Sequence, residues 1–187
     1  MSKQNQFFII SVMGPYAGEN EDSIFKRKKR EIEENGYTFW HHQSNQAKPN
    51  MVQVLGKAAK GSTIKLILTS TASRRSGGDT KKHPQAKQYS PNENGPYEPI
   101  PAPIYVETGT RPWALVINDL QLVSGRINLL DYSDFFSKGA VRTRIGGSTV
   151  CALKQSSRDD PKRMKSNIRD IVATAYLVEP FSVWLSA

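Results

Sequence analysis

The chain has 187 residues, a formal net charge of +9 and a hydrophobic fraction of 37%, enough apolar surface for one buried core. No apolar run reaches the roughly 18 residues a membrane span needs, and Cys151 is the only cysteine, which excludes an internal disulfide and a thiolate metal cluster within one chain. Basic balance of this size favours a polyanionic partner: nucleic acid, an anionic membrane surface or an acidic protein, of which nucleic acid or an acidic protein, and no membrane, is the expectation.

The first element is a buried strand over 6–13, ended by Gly14-Pro15. This apolar run is too short for a signal-peptide core, so the expected location is cytoplasmic. Asn20 is a candidate N-cap for a helix running to Asn35, with Glu21 and Asp22 in the first turn and Gly36 at C′. Its apolar face is thin: Ile24, Phe25 and Ile32. The run Lys26-Arg27-Lys28-Lys29-Arg30 spreads around the cylinder, and Lys29–Glu33 and Arg30–Glu34 have ion-pair spacing, so a solvated face is expected. Residues 37–42 alternate and are aromatic, which suits a strand. A second helix over 50–60 follows Pro49 and stops at Gly61, and Thr63–Thr69 is a strand.

Residues 72–103 are rich in Ser, Gly, Pro, Lys and Asn, and predict a long basic loop with a short helix around Gln85–Tyr89. Strands resume at Ile104–Val106, Trp113–Asn118 and Gln121–Val123. Asn128–Phe136 reads as a short helix or tight turn. Val141–Ile145 and Ser148–Leu153 are strands, 161–170 is a helix, and the end is apolar over Ile171–Val178 and Phe181–Leu185. These elements lack a βαβ rhythm. They predict a single α+β domain over 1–187, with a mixed sheet partly curled into a barrel and about three flanking helices. Phe8, Ile10, Ile64, Leu66, Leu68, Leu115, Ile117, Val150, Ala152 and Val172 are the expected core.

No phosphate loop, dinucleotide fingerprint or nucleophile elbow is present, and no cofactor is expected. His41 and His42 point to opposite faces of a strand and so do not chelate one metal together. A His41–His83–Asp79 metal site is the alternative to hydrogen-bonded or exposed histidines, and no metal is expected. Arg74, Arg75, Lys81 and Lys82 lie among Ser, Gly and Thr donors, a composition that grips phosphates without base specificity. Arg142 and Arg144 alternate on one strand face and extend a basic surface. Trp40 and His42 belong to an aromatic-histidine strand of the kind that stacks on and reads an unpaired base.

Phe7–Val12, Thr38-Phe39-Trp40, the helix ending at Lys60-Gly61, the strand Ile64–Ser70, and Trp113–Asn118 followed by Ile127–Leu130 together resemble PUA-like domains of the EVE type. The family's Gly-Asp before the third strand is Gly61-Ser62 here, and its next strand is replaced by the basic stretch. The resemblance implies a small curled sheet with a pocket for a modified base in RNA or DNA. The expected function is therefore non-enzymatic nucleic-acid binding through Trp40, His42, Arg74, Arg75, Lys81, Lys82, Arg142 and Arg144. The alternatives are a small interaction or inhibitor protein that binds an acidic protein, and an enzyme using His41 or His42.

Overall fold

The computed structural model describes residues 7–41, 48–70, 82–106, 111–136, 149–152 and 168–187. In chain order these form β1 (Phe7–Met13), α1 (Glu21–Asn35), β2 (Thr38–His41), α2 (Pro49–Ala59), β3 (Ile64–Ser70), β4 (Gln85–Ser90), β5 (Glu98–Tyr105), β6 (Trp113–Asn128), a 3-10 turn (Leu129–Asp131), β7 (Ser133–Asp134), β8 (Thr149–Ala152) and β9 (Ile168–Ser186). The class is α+β, as the sequence predicts. Among the described residues there are two α-helices, neither long and apolar enough to cross a membrane.

One mixed sheet runs β2-β6-β9-β3-β1-β8-β7, with the β4–β5 hairpin branching from β9. β1 and β3 are parallel; β3–β9, β9–β6 and β6–β2 are antiparallel. The 19-residue β9 is the spine. Its first half pairs with β3 and its last residues pair with β4, while β6 lies along its other edge.

Alternation sorts the side chains. Trp113, Leu115 and Ile117 face the helices, joining Ile9, Trp40, Val52, Leu55, Leu66 and Leu68. Ala114 and Val116 face the other way and form a second cluster with Phe39, Ala86, Ile104, Val106, Val183 and Leu185. Phe8 and Ile10 meet Ile127 and Leu129 in a third. β2, β6, the end of β9, β4 and β5 thus bend around the second cluster. No ladder joins β5 to β2, so the sheet is open and the expected barrel closure is not made.

Several local readings hold. The Asn20 side chain accepts a hydrogen bond from the Ser23 amide at 2.8 Å, and Gly36 caps α1 in the left-handed region at φ 80. Pro49 opens α2. Phe8, Ile10, Ile64, Leu66, Leu68, Leu115 and Ile117 are buried, whereas Val172 is only partly so; the side chains of Val150 and Ala152 lie outside the described residues.

Others need correction. The expected loop over 72–103 holds the β4–β5 hairpin from Gln85 to Tyr105, and Gln85–Tyr89 is strand, not helix. Pro99, Pro101 and Pro103 remove donors from β5, which pairs only with β4 among the described residues and tolerates them as an outer strand. Trp113–Asn118 and Gln121–Val123 are one bulged strand, crossing Asp119 at φ 48. Residues 168–170 of the expected third helix belong to β9, and 153–167 lie outside the described residues, as does Val141–Ile145.

Candidate functional site

A cavity of about 100 Å³ opens where the end of β1, the following turn, α1, β2 and the end of β5 converge. A single water needs roughly 10–15 Å³ by this measure, so there is room for several waters or for one flat ring. Ser11, Val12 and Gly14 form one side; Tyr16 and Glu19 come from the turn, Ile24, Arg27 and Lys28 from α1, Phe39, Trp40 and His41 from β2, and Ile104 and Tyr105 from β5.

The turn is built for this. Tyr16 and Glu19 exchange two backbone hydrogen bonds of 2.9 Å, with positive φ at Ala17 (54) and Gly18 (83) between them. Positive φ at both central residues is the type I′ geometry, which sets Tyr16 and Glu19 side by side. His83 stacks on the Tyr16 ring at 5.0 Å and 7°, and the His41 ring lies 5.8 Å away, tilted.

Behind these rings lies an ionic cluster. Arg27 gives Nε and Nη2 to the two Glu19 carboxylate oxygens at 2.8 and 2.6 Å, and Nη1 to Glu31 Oε1 at 2.8 Å. It also reaches the Pro103 carbonyl at 3.4 Å, tying α1 to β5. Lys28, only 5% exposed, gives one N–H to Glu31 Oε2 at 2.9 Å and one to Thr38 Oγ1 at 3.3 Å. The Thr38 hydroxyl in turn donates to Glu31. Burial, reinforced by the neighbouring Arg27 cation, pulls Lys28 down to about 8 against the opposing pull of Glu31. For Glu31 burial acts to raise the carboxyl, but the Lys28 cation and the hydrogen bonds from Thr38, Lys28 and Arg27 outweigh it and hold the group below its ordinary value. Burial, then the charges of Lys28 and His83, lower His41 to about 4, so it is neutral at pH 7. Two cations face two carboxylates, and the cavity carries almost no net charge.

Of the residues singled out from sequence, Trp40 lines this cavity but is 7% exposed and belongs to the core. His41 lines it as well. Lys82 is exposed and directly precedes His83. His42, Arg74, Arg75, Lys81, Arg142 and Arg144 lie outside the described residues, as does Asp79. Among the described residues no group of three His, Cys, Asp or Glu side chains is placed to hold a metal.

Sequence reading missed Tyr16, Glu19, Lys28, Glu31, Thr38 and Tyr105. It took the basic run for a solvated face, yet Lys28 stands four residues from both Ile24 and Ile32 and so falls on the apolar stripe of α1. The ion pairs seen on this helix are Arg27–Glu19, Arg27–Glu31 and Lys28–Glu31 rather than Lys29–Glu33 and Arg30–Glu34. No family model, curated protein or solved structure matches the chain.

Proposed function

We propose that the protein binds nucleic acid without transforming it and takes one unpaired or extruded base into the cavity between α1 and β2. The observation that carries this reading is the lining: Tyr16, Phe39, Trp40 and Tyr105 surround polar groups whose charges cancel. A phosphate would find both cations already engaged by carboxylates, whereas an uncharged heteroaromatic ring meets apolar walls and hydrogen-bonding edges. Phosphates would lie outside, against Lys82, with Arg74, Arg75, Lys81, Arg142, Arg144 and His42 as the further contacts proposed from the sequence. The sheet bending around Phe39 and Val116 is in keeping with the curled, partly closed sheet and base pocket that the resemblance to PUA-like domains implies.

The test is fluorescence anisotropy with single- and double-stranded DNA and RNA across a salt series. Released counterions make log affinity fall linearly with log salt, by about 0.7 to 0.9 per phosphate contact. Replacing Lys81 and Lys82 by Ala flattens that slope for every sequence alike. Tyr16→Ala leaves the slope unchanged and weakens binding by roughly 1–3 kcal/mol, the value of one base–aromatic stack. Trp40 is unsuited to this role, because truncating so buried a ring disturbs the core. Affinity weaker than about 10⁻⁴ M at physiological salt, below ordinary non-specific binding, overturns the proposal. An acidic protein then becomes the first partner to test.

A further inference from the structure

We infer that the cavity selects a ring presenting a carbonyl oxygen beside a ring N–H, the lactam edge of uracil, thymine, guanine or hypoxanthine, and that Lys28 makes the selection. This rests on the proposed base-binding role of the same cavity.

An ammonium group has three donors and no acceptor. Two of the Lys28 donors go to Glu31 and Thr38. The third has no protein partner among the described residues, although the residue is buried and lines the cavity. A buried donor without a partner is costly, and a ligand acceptor placed against it recovers that cost. Glu31 and Thr38 hold the ammonium on two sides, which limits how far it can reorient. Because it has no acceptor, it rejects an exocyclic amine: a donor facing a donor leaves both unpaired once the ring fills the cavity.

His41 supplies the second half of the edge. It is neutral, lines the same cavity and makes no hydrogen bond among the described residues. Lys28 and His41 line the same cavity, one from α1 and one from β2, so a single ring entering it meets both side chains. A neutral imidazole carries one bare nitrogen that accepts a ring N–H. Donor from Lys28 and acceptor on His41 match the carbonyl and N–H of a lactam. Against cytosine and adenine the mismatch lies at the amine, which meets the Lys28 donor.

The test uses fluorescein-labelled single-stranded decamers with abasic spacers and one central base, compared at pH 7 and fixed salt. Uracil is set against cytosine and hypoxanthine against adenine, so each pair differs only at the edge in question. The wild-type protein is expected to bind uracil and hypoxanthine about tenfold or more tighter than their amino counterparts, the discrimination of one good hydrogen-bonded edge. Lys28→Met and Lys28→Gln, each checked for folding by circular dichroism, should reduce that ratio to near one. Equal or reversed preference in the wild type overturns the lactam assignment while leaving nucleic-acid binding intact. If no decamer binds, including the fully abasic one, the proposed function itself fails. Should neither variant fold, the wild-type base series alone decides the question.

Discussion

Replacing Glu31 by Gln removes the carboxylate that Arg27, Lys28 and Thr38 all address. Burial has already lowered Lys28 from 10.5 to about 8. At about 1.4 kcal/mol per pH unit, that costs the fold roughly 3 kcal/mol at pH 7. Without Glu31 the lysine falls further, but only until it loses its proton. Complete deprotonation at pH 7 brings the cost to about 5 kcal/mol, so the variant loses roughly 1–2 kcal/mol more through Lys28. The new amide also turns a donor toward Arg27 or Lys28, and an unpaired buried donor adds about 1–3 kcal/mol. The expected loss is roughly 3 kcal/mol by urea denaturation at pH 7, in line with breaking other buried pairs. The pH dependence follows from the same shift. A lysine whose native value is depressed makes the unfolded chain the stronger proton binder between about 8 and 10.5, so wild-type stability gains from this group as pH rises across that window. The variant's lysine is neutral earlier. The gap between the two proteins therefore narrows above pH 8, where Lys28 is neutral in both, and widens toward pH 6. A loss under about 1 kcal/mol at pH 7, or a gap that does not narrow, refutes this account of the cluster.

Two further perturbations probe the frame that holds the cavity. Leu66 is fully buried on β3, and Leu66→Ala should cost about 2–5 kcal/mol in denaturant titration; a cost near zero would mean that its face of the sheet does not carry the main core. A Cβ at Gly56 of α2 would intrude on the Phe181 ring, itself held at φ 68, so Gly56→Ala should lower stability by about 1–3 kcal/mol, and an unchanged thermal midpoint would show that α2 and β9 are not in the close contact described.

The first third of the chain was legible because its signals are local. Asn20 and Gly36 bracket α1, Pro49 opens α2, and the apolar runs of β1 and β3 sit between turn residues. The middle was misread for the opposite reason. In Gln85–Ser90 only Ala86 and Ser90 are buried, and neither is a strong strand former, while β5 carries proline at alternate positions. Composition argued for loop, and the pairing with β9 that makes these residues a sheet is encoded about a hundred residues away. In β6 and β9 the breaks at Asp119 and Pro180 each divided in two what the ladder between them keeps as one strand.

The cavity was harder to foresee than the fold, since five segments contribute to it and its decisive residue was assigned to the wrong environment. A net charge of +9 points to a polyanion, yet in the ionic cluster beside the cavity Arg27 and Lys28 face Glu19 and Glu31 and the sum is close to zero. These are separate quantities with separate consequences. Net charge acts over a Debye length, sets encounter rate and salt dependence, and is indifferent to which ring arrives. The buried cluster acts at hydrogen-bond range, is insensitive to salt, and distinguishes a carbonyl from an amine. A protein built this way should therefore lose affinity for all strands together as salt rises while its preference between bases stays constant. If base preference faded with salt in step with affinity, the discrimination would have to come from the exposed basic residues, and Lys28 would be only a structural tie between α1 and β2.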